Sequence, residues 1–134
     1  MRFPYLRFTD QFNETAYRPA LPARLFHQNN SVERVALIDS GSDINVLPYA
    51  VGNDLGLSWS ELRSVTGLSG NLAKSPAKAA IVKGVIGNFA PVVLAFVWTR
   101  NEEVPLLFGQ VNFFGEFDIC FYRSQGFFDV NLKS

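Results

Sequence analysis

Short runs of apolar residues, many with the alternation typical of β-strands, dominate the pattern along the chain. Residues 21–28 and 34–39 flank Asn29 and Asn30, which favour turns, and predict a hairpin. Residues 77–87 and 89–98 meet near Gly87 and Asn88 and predict a second, tight hairpin. The remaining strand-like or apolar runs are residues 2–8, 44–48, 104–109, 117–122 and 127–132.

Helix signals are weak and short. Pro48 can open a helix at its first turn, and Gly56 can close it, so a helix is predicted over residues 49–57. Residues 110–117 predict one further helical turn, and Ser58 or Ser60 is a candidate cap for a turn through residue 63. Many short strands with one or two short helices predict a mainly β fold that forms a closed barrel. At 134 residues, the chain suits a single domain over residues 1–134.

Charge and composition limit the classes of partner. Twelve basic and twelve acidic residues cancel, which argues against a nucleic-acid partner. The longest apolar run, residues 89–98, is about half as long as a bilayer-spanning helix, so no membrane partner is expected. The first residues lack the apolar core of a signal peptide, and together with a single cysteine this suggests the cytoplasm. Thirteen phenylalanines indicate a dense core or a buried contact surface, and the apolar chain ends suit an inter-chain sheet.

No metal site and no cofactor are expected. The chain has one cysteine and one histidine, so neither a disulfide nor a multi-cysteine metal site can form. Cys120 lies in an alternating strand pattern and is interpreted as a buried, inert thiol. His27, on an arm of the first predicted hairpin, is interpreted as a packing or surface residue.

The stretch Val-Ala-Leu-Ile-Asp-Ser-Gly-Ser-Asp, residues 35–43, is unusual because a core strand runs straight into Asp39. As an isolated string, an Asp-Ser-Gly-Ser sequence is a common turn, since aspartate and serine bond their own backbone. Downstream, the small, polar, glycine-rich residues 64–76 predict a mobile loop or the tip of a hairpin.

Three segments resemble the hallmarks of the retropepsin-like aspartic proteases, in the order that the family has them. Residues 37–42 are similar to the family's active-site segment, and the apolar pair before Gly109 is similar to its second motif. Residues 66–71 are similar in composition to its glycine-rich flap. The resemblance covers roughly residues 20–132 and is closer to bacterial than to viral members.

The resemblance implies a retropepsin-like closed β-barrel and an aspartic endopeptidase that acts on a peptide or protein substrate. Two carboxylates too close for both to ionise share one proton over a water molecule. Because Asp-Ser-Gly occurs once in the chain, the resemblance implies a homodimer to which each chain contributes Asp39. The implied catalytic residues are Asp39, Ser40 and Gly41, and the implied substrate-binding residues are Ser42, Asp43, Gly67, Leu68, Ser69 and Gly70.

Particular roles follow from the resemblance. Ser40 is expected to bond its mate across the dimer, Gly41 to permit close backbone approach, and Ser42 to donate to the outer oxygen of Asp39. In many retroviral members the late glycine is followed by an arginine that pairs with an acid near the catalytic loop. Here Gln110 stands in that place, so Asp43 needs Arg34 or another basic residue, or else the dimer is weaker.

Two other function classes remain open. One is a catalytically silent protein of the same fold, used for dimerisation or ligand binding. The other is an unrelated small β-barrel that binds an apolar ligand in a phenylalanine-lined cavity. A serine hydrolase is disfavoured because the Gly-x-Ser-x-Gly elbow is absent, and a phosphate loop because residues 67–71 lack the Walker lysine.

Overall fold

The computed structural model describes residues 1–10 and 12–134, and these residues form eleven strands and two short α-helices. The prediction of a mainly β fold with a closed barrel and one or two short helices is confirmed. The strands are β1 (Arg2–Pro4), β2 (Leu6–Thr9), β3 (Thr15–Arg18), β4 (Ala20–His27), β5 (Asn30–Ile38), β6 (Asn45–Pro48), β7 (Ala77–Ile86), β8 (Val92–Thr99), β9 (Leu107–Phe108), β10 (Phe117–Tyr122) and β11 (Phe127–Leu132). The helices are α1 (Tyr49–Asp54) and α2 (Phe113–Glu116). In this part of the chain, no helix is both long and apolar enough to cross a membrane.

Six strands close the barrel in the order β4, β5, β9, β6, β8, β7. The β4–β5 and β7–β8 pairs are antiparallel hairpins, and β4 also pairs with β7. The two-residue strand β9 lies between β5, to which it is parallel, and β6, to which it is antiparallel. This insertion places residues from late in the chain beside the loop that joins β5 to β6.

Phenylalanine side chains form a large part of the hydrophobic core. Phe108, Phe113 and Phe117 are fully buried, and the rings of Phe108 and Phe113 stack with centroids 4.2 Å apart. Phe113 also packs on Phe117 with a centroid distance of 5.0 Å. Close aromatic packing of this kind removes large apolar areas from water. Much of the phenylalanine content therefore serves the core of one chain.

The two ends of the chain pair within one chain in a three-stranded sheet ordered β1, β11, β10. The N-terminal ammonium of Met1 donates to the Val130 carbonyl at 2.6 Å. Arg2 forms a salt bridge with Asp129 at 2.8 Å. The hydrogen bond between these two side chains raises the pKa of Arg2 and lowers the pKa of Asp129.

The predicted strand over residues 2–8 is instead two strands, β1 and β2, which separate at Tyr5. The ring of Tyr5 is buried, and its backbone N–H donates to the Gly126 carbonyl at 2.8 Å. After this point β2 leaves the terminal sheet and pairs with β3, a strand that the sequence pattern did not predict.

The connection between β7 and β8 begins with a tight turn at Gly87 and Asn88, in which the Phe89 N–H donates to the Ile86 carbonyl at 3.0 Å, so the prediction of a tight hairpin there is confirmed. Two other local predictions are wrong. Ser58 precedes the next helical turn, yet its side chain makes no capping hydrogen bond. Cys120 is exposed, because the two-residue period of β10 turns it to the outer face.

Candidate active site

Asp39 immediately follows β5 at the point where β9 lies beside it. Its backbone N–H donates to the Phe108 carbonyl at 2.9 Å, and the preceding Ile38 N–H donates to the Pro19 carbonyl at 2.9 Å. Ile38 is 4% exposed, whereas Asp39 is exposed in the single chain. The backbone of the acid is thus fixed by the barrel while its carboxylate faces outward.

The Asp-Ser-Gly loop supports one oxygen of this carboxylate. The Gly41 N–H donates to Asp39 Oδ1 at 2.9 Å, and the Ser42 N–H donates to the Asp39 carbonyl at 3.1 Å. A Cβ on residue 41 would lie 3.3 Å from the same carboxylate oxygen, which is a tight contact. Among the described residues, none donates a hydrogen bond to Oδ2 of Asp39, so that oxygen is left for other groups.

Ser40 and Ser42 have different surroundings. Ser42 is half-buried, and its hydroxyl donates to the Ile44 carbonyl at 2.8 Å instead of to Asp39, so the predicted contact with the carboxylate is wrong. A serine hydroxyl that closes its own turn in this way is a common local device. The side chain of Ser40 is exposed next to Asp39, and its carbonyl accepts a hydrogen bond from Gln110 Nε2 at 2.8 Å.

Gln110 makes neutral hydrogen bonds to the Asp39 loop. Its backbone N–H donates to the Ser42 carbonyl at 2.9 Å, so the segment after β9 is bonded to the Asp39 loop through both backbone and side chain. Arg34 pairs with Asp54 at 2.7 Å and not with Asp43. Asp43 is exposed, and no ion pair to it occurs among the described residues.

Asn45 is a site residue that the sequence reasoning missed. It is fully buried, and its Oδ1 accepts a hydrogen bond from the Gly109 N–H at 2.8 Å. Its Nδ2 donates to the Ala95 carbonyl at 2.9 Å and to Asn112 Oδ1 at 3.0 Å. One side chain thus joins β6, β8 and the segment after β9. A polar residue at the head of the apolar run Asn-Val-Leu-Pro was the signal that could have found it.

Gly109 is required by the closeness of the two crossing segments. A Cβ at this position would overlap the Ile44 carbonyl and would lie 2.7 Å from the Ser42 carbonyl oxygen. Real Cβ atoms do not approach backbone oxygens this closely, so only glycine fits here. The predicted proximity of the Asp39 and Gly109 motifs is therefore confirmed.

A cavity of about 360 Å³ opens beside Asp39. Leu37, Ile38 and Asp39 from the end of β5 form one side of it, together with Ser40. The other lining residues come from the start and the end of the chain: Tyr5, Arg18, Pro19 and Phe121. The site of Asp39 therefore borders the base of the β2–β3 hairpin and the end of β10.

The predicted flap lies apart from Asp39 in the single chain. Its ends are joined by the Val65 N–H, which donates to the Ala77 carbonyl at 3.0 Å, and residues 70–72 form one 3-10 turn. Gly67 and Gly70 have φ of 76° and 62°, a left-handed conformation that glycine adopts readily. Gly67 and Leu68 line a different cavity of about 330 Å³, and no described residue of this loop lines the cavity of Asp39. The mobility of the loop stays a prediction.

The described residues contain no group of three or more histidine, cysteine, aspartate or glutamate side chains that could hold a metal ion. The groups present at the site are an exposed carboxylate, hydroxyls and backbone amides.

Two solved structures share the arrangement of this chain. A retropepsin-like aspartic protease from Rickettsia conorii aligns with a TM-score of 0.65 and 13% identity, over 98% of this chain and 91% of that chain. The fold is retropepsin-like. EIAV protease in complex with an inhibitor aligns with a TM-score of 0.55 and 17% identity, over 77% of this chain and 88% of that one. No family model and no curated protein sequence matches the chain.

The retropepsin-like fold confirms the architecture that the motifs of residues 37–42 and 107–109 implied. The alternative of a small β-barrel with a different fold is therefore wrong. At these identities the likeness concerns the fold alone, so the chemistry must be argued from the side chains of this chain.

Proposed function

We propose that the protein is an aspartic endopeptidase whose active site forms between two identical chains, each contributing Asp39. The observation that carries this proposal is the position of Asp39: its backbone is fixed between β5 and β9, while its carboxylate is exposed and has one free oxygen. The retropepsin-like fold supports it, since the two similar structures described above are both named as proteases.

The mechanism uses two carboxylates that share one proton across a two-fold axis. The ionised carboxylate takes a proton from a water molecule, whose oxygen forms a bond to the carbonyl carbon of the peptide. The protonated carboxylate gives its proton to the carbonyl oxygen. The tetrahedral intermediate then collapses. As the C–N bond breaks, the carboxylate that took the water proton gives it to the leaving nitrogen, and a hydroxyl of the intermediate returns a proton to the other carboxylate.

The other residues of the site hold and position these groups. The Gly41 N–H fixes one Asp39 oxygen, so the other faces the partner carboxylate and the water. The exposed Ser40 hydroxyl bonds the loop of the second chain in this proposal. Asp43 is exposed at the site and would contact the substrate backbone, as would the flap residues Gly67, Leu68, Ser69 and Gly70 once the loop closes over the substrate. No metal or cofactor takes part.

The proposal treats residues 1–134 as one lobe of the dimer. It also places the protein in the cytoplasm, because a single cysteine suits a reducing compartment.

The test is cleavage of a peptide library by the wild type and by Asp39→Asn. Asp39→Asn keeps the size and hydrogen-bonding capacity of the side chain but can act neither as base nor as shared acid, so we expect at least a ~1000-fold loss of turnover. Asp54→Asn is the matched control: it makes the same change at an exposed carboxylate outside the cavity, and it should cleave like the wild type. Equal cleavage by Asp39→Asn and wild type would show that the aspartic mechanism is wrong.

A catalytically silent dimerisation or ligand-binding module is the second candidate, favoured by one observation. Gln110 supplies a neutral hydrogen bond, and Asp43 has no cationic partner among the described residues. Sedimentation of the wild type separates the two candidates when it is run beside the cleavage assay. A stable dimer that cleaves no peptide in the library between pH 4 and pH 7 favours the silent module.

A further inference from the structure

One hairpin of the chain is not part of a larger sheet. Strands β2 and β3 pair only with each other, while every other strand is in the barrel or in the terminal sheet. We call β2, β3 and the turn residues Asp10 and Phe12–Glu14 the arm. Asp10 closes this turn, because its carboxylate accepts hydrogen bonds from the backbone of Phe12 and Glu14, both at 2.9 Å.

The arm exposes two aromatic side chains. All four residues of β3 are exposed, Tyr17 is 54% exposed, and Phe12 at the tip is 76% exposed. A two-stranded hairpin is marginally stable in water unless a third element packs against it. Exposed aromatic side chains on such a hairpin indicate a surface that another molecule covers.

The charges of the arm are separated along its length. Arg7 and Arg18 lie at its base, where they are paired in register with Tyr17 and Leu6. Asp10 and Glu14 lie at its tip, about 10 Å further along the strands. None of the described residues forms an ion pair with Arg7, Arg18 or Glu14. The arm is therefore basic at one end and acidic at the other, with these charges unpaired in the single chain.

The base of the arm borders the candidate active site. Arg18 of the arm and Tyr5, which immediately precedes it, line the cavity that contains Asp39, and the Pro19 carbonyl accepts a hydrogen bond from the N–H of Ile38, the last residue of β5. In the proposed function a two-fold axis passes beside Asp39. A two-fold axis that crosses the arms at right angles to their strands, between base and tip, makes the two arms antiparallel and places the tip of each beside the base of the other.

We infer that the arm is a dimerisation clasp that packs antiparallel against the arm of a second copy of this chain. The acidic tip of each arm then meets the basic base of the other, and Phe12 and Tyr17 are covered. The contact is self-complementary, as an interface around a two-fold axis must be. This inference rests on the proposed two-chain site, and it names the surface that holds the two Asp39 residues together.

Charge reversal at the two ends of the arm tests this pairing. Glu14→Arg places a cation at both ends, and Arg7→Glu places an anion at both ends. Each variant alone opposes like charges at two symmetric contacts, so its dimer dissociation constant should rise about tenfold in 50 mM salt. An equimolar mixture of the two variants opposes unlike charges at both contacts, so it should associate like the wild type. Sedimentation velocity measures all three samples.

Two controls separate the arm from general effects of charge. Glu102→Arg reverses an exposed acid in a turn that does not line the cavity of Asp39, and it should leave association unchanged. In 1 M salt the difference between Glu14→Arg and the wild type should shrink, because screening weakens exposed charge pairs. Failure of the mixture to associate, or a penalty that does not change in high salt, would overturn the inference.

The apolar part of the contact has its own variant pair. Phe12→Ser should weaken the dimer, whereas Ile81→Ser should not, although Ile81 on β7 is 66% exposed. Both are surface changes that leave thermal unfolding of the protomer within about 2 °C. Equal association of the two variants would contradict a covered arm.

Sedimentation needs no catalysis, so the inference and the proposed function can fail separately. If the charge variants behave as expected and wild type cleaves nothing, the proposed function fails and the clasp stands. If the wild type cleaves peptides as a dimer, and the arm variants leave the dissociation constant of the dimer unchanged, only the inference of a clasp is overturned. A wild type that is monomeric at every concentration overturns both.

Discussion

Asn45→Ala should weaken the protein far more than the loss of one small side chain suggests. The side chain of Asn45 is fully buried and makes three hydrogen bonds, to the Gly109 N–H, the Ala95 carbonyl and the Asn112 side chain. These three partners belong to segments that are distant in sequence, so no local rearrangement can replace the bonds.

The expected loss of stability is the sum of the costs of leaving each hydrogen-bond partner of Asn45 unpaired. The Gly109 N–H is buried, and without an acceptor it costs about 1–3 kcal/mol. The Ala95 carbonyl and Asn112 Oδ1 each lose a donor, and each loss costs about 0.5–1 kcal/mol. Asn112 is partly compensated, because its Oδ1 still accepts the Ala95 N–H at 3.0 Å. We therefore expect a loss of about 3 kcal/mol, a large share of the roughly 5–15 kcal/mol typical of a domain.

Urea unfolding followed by tryptophan fluorescence measures this loss, since Trp98 is fully buried in the barrel. All samples are held at one protein concentration, because a dimer links stability to concentration. Asn131→Ala, at an exposed position on β11, is the matched control and should change the free energy of unfolding by less than about 0.5 kcal/mol. A loss below about 1 kcal/mol in Asn45→Ala would refute the view that this side chain holds the crossing segments together.

Three further predictions concern other parts of the fold. Gly109→Ala should lower the free energy of unfolding by at least about 2 kcal/mol, because the added Cβ overlaps the Ile44 carbonyl; an unchanged thermal midpoint would contradict this. Arg2 holds the pKa of Asp129 below its ordinary value of 3.8, so their interaction stabilises the fold above that pH and is lost as pH falls through the lowered pKa. Asp129→Asn should therefore lower the thermal midpoint slightly at pH 7 and hardly at all once the pH is below the lowered pKa, and an equal effect under both conditions would count against the pair. Cys120 should react with a thiol reagent in the folded protein as fast as in urea, whereas protection until unfolding would show that it is buried.

The sequence was most informative where a residue's neighbours in the chain decide its structure. The β4–β5 hairpin follows from two apolar runs that flank a turn, and its register over residues 20–37 needs no distant contact to be inferred. Asp39 could be singled out for a similar reason, because an acid directly after a buried strand is locally conspicuous. The resemblance also predicted that the motif at residues 107–109 lies beside the Asp39 motif, which the chain sequence around Asp39 alone does not show.

The features that the sequence did not predict depend on contacts between residues that are distant in the chain. Asn45 resembles an ordinary turn residue until the Gly109 N–H and the Ala95 carbonyl are seen to converge on it. Strand β3 has no apolar face of its own and exists because β2 leaves the terminal sheet at Tyr5. The burial of Cys120 was predicted wrongly. Alternation of apolar and polar residues shows that the two faces of a strand differ, but in an edge strand such as β10 it does not show which face is covered.

The pairing of β5 with β9 also sets the order in which the site can appear during synthesis. The Gln110 side chain and the Ser40 carbonyl that it bonds are 70 residues apart, and the backbone of Asp39 is bonded to Phe108. Closing so long a loop is slow compared with forming the local hairpins, and it needs the late segment to be present. A growing chain therefore carries Asp39 without its fixed backbone until residue 109 has left the ribosome, so the capacity to hold a carboxylate in place arises only after most of the chain has been made.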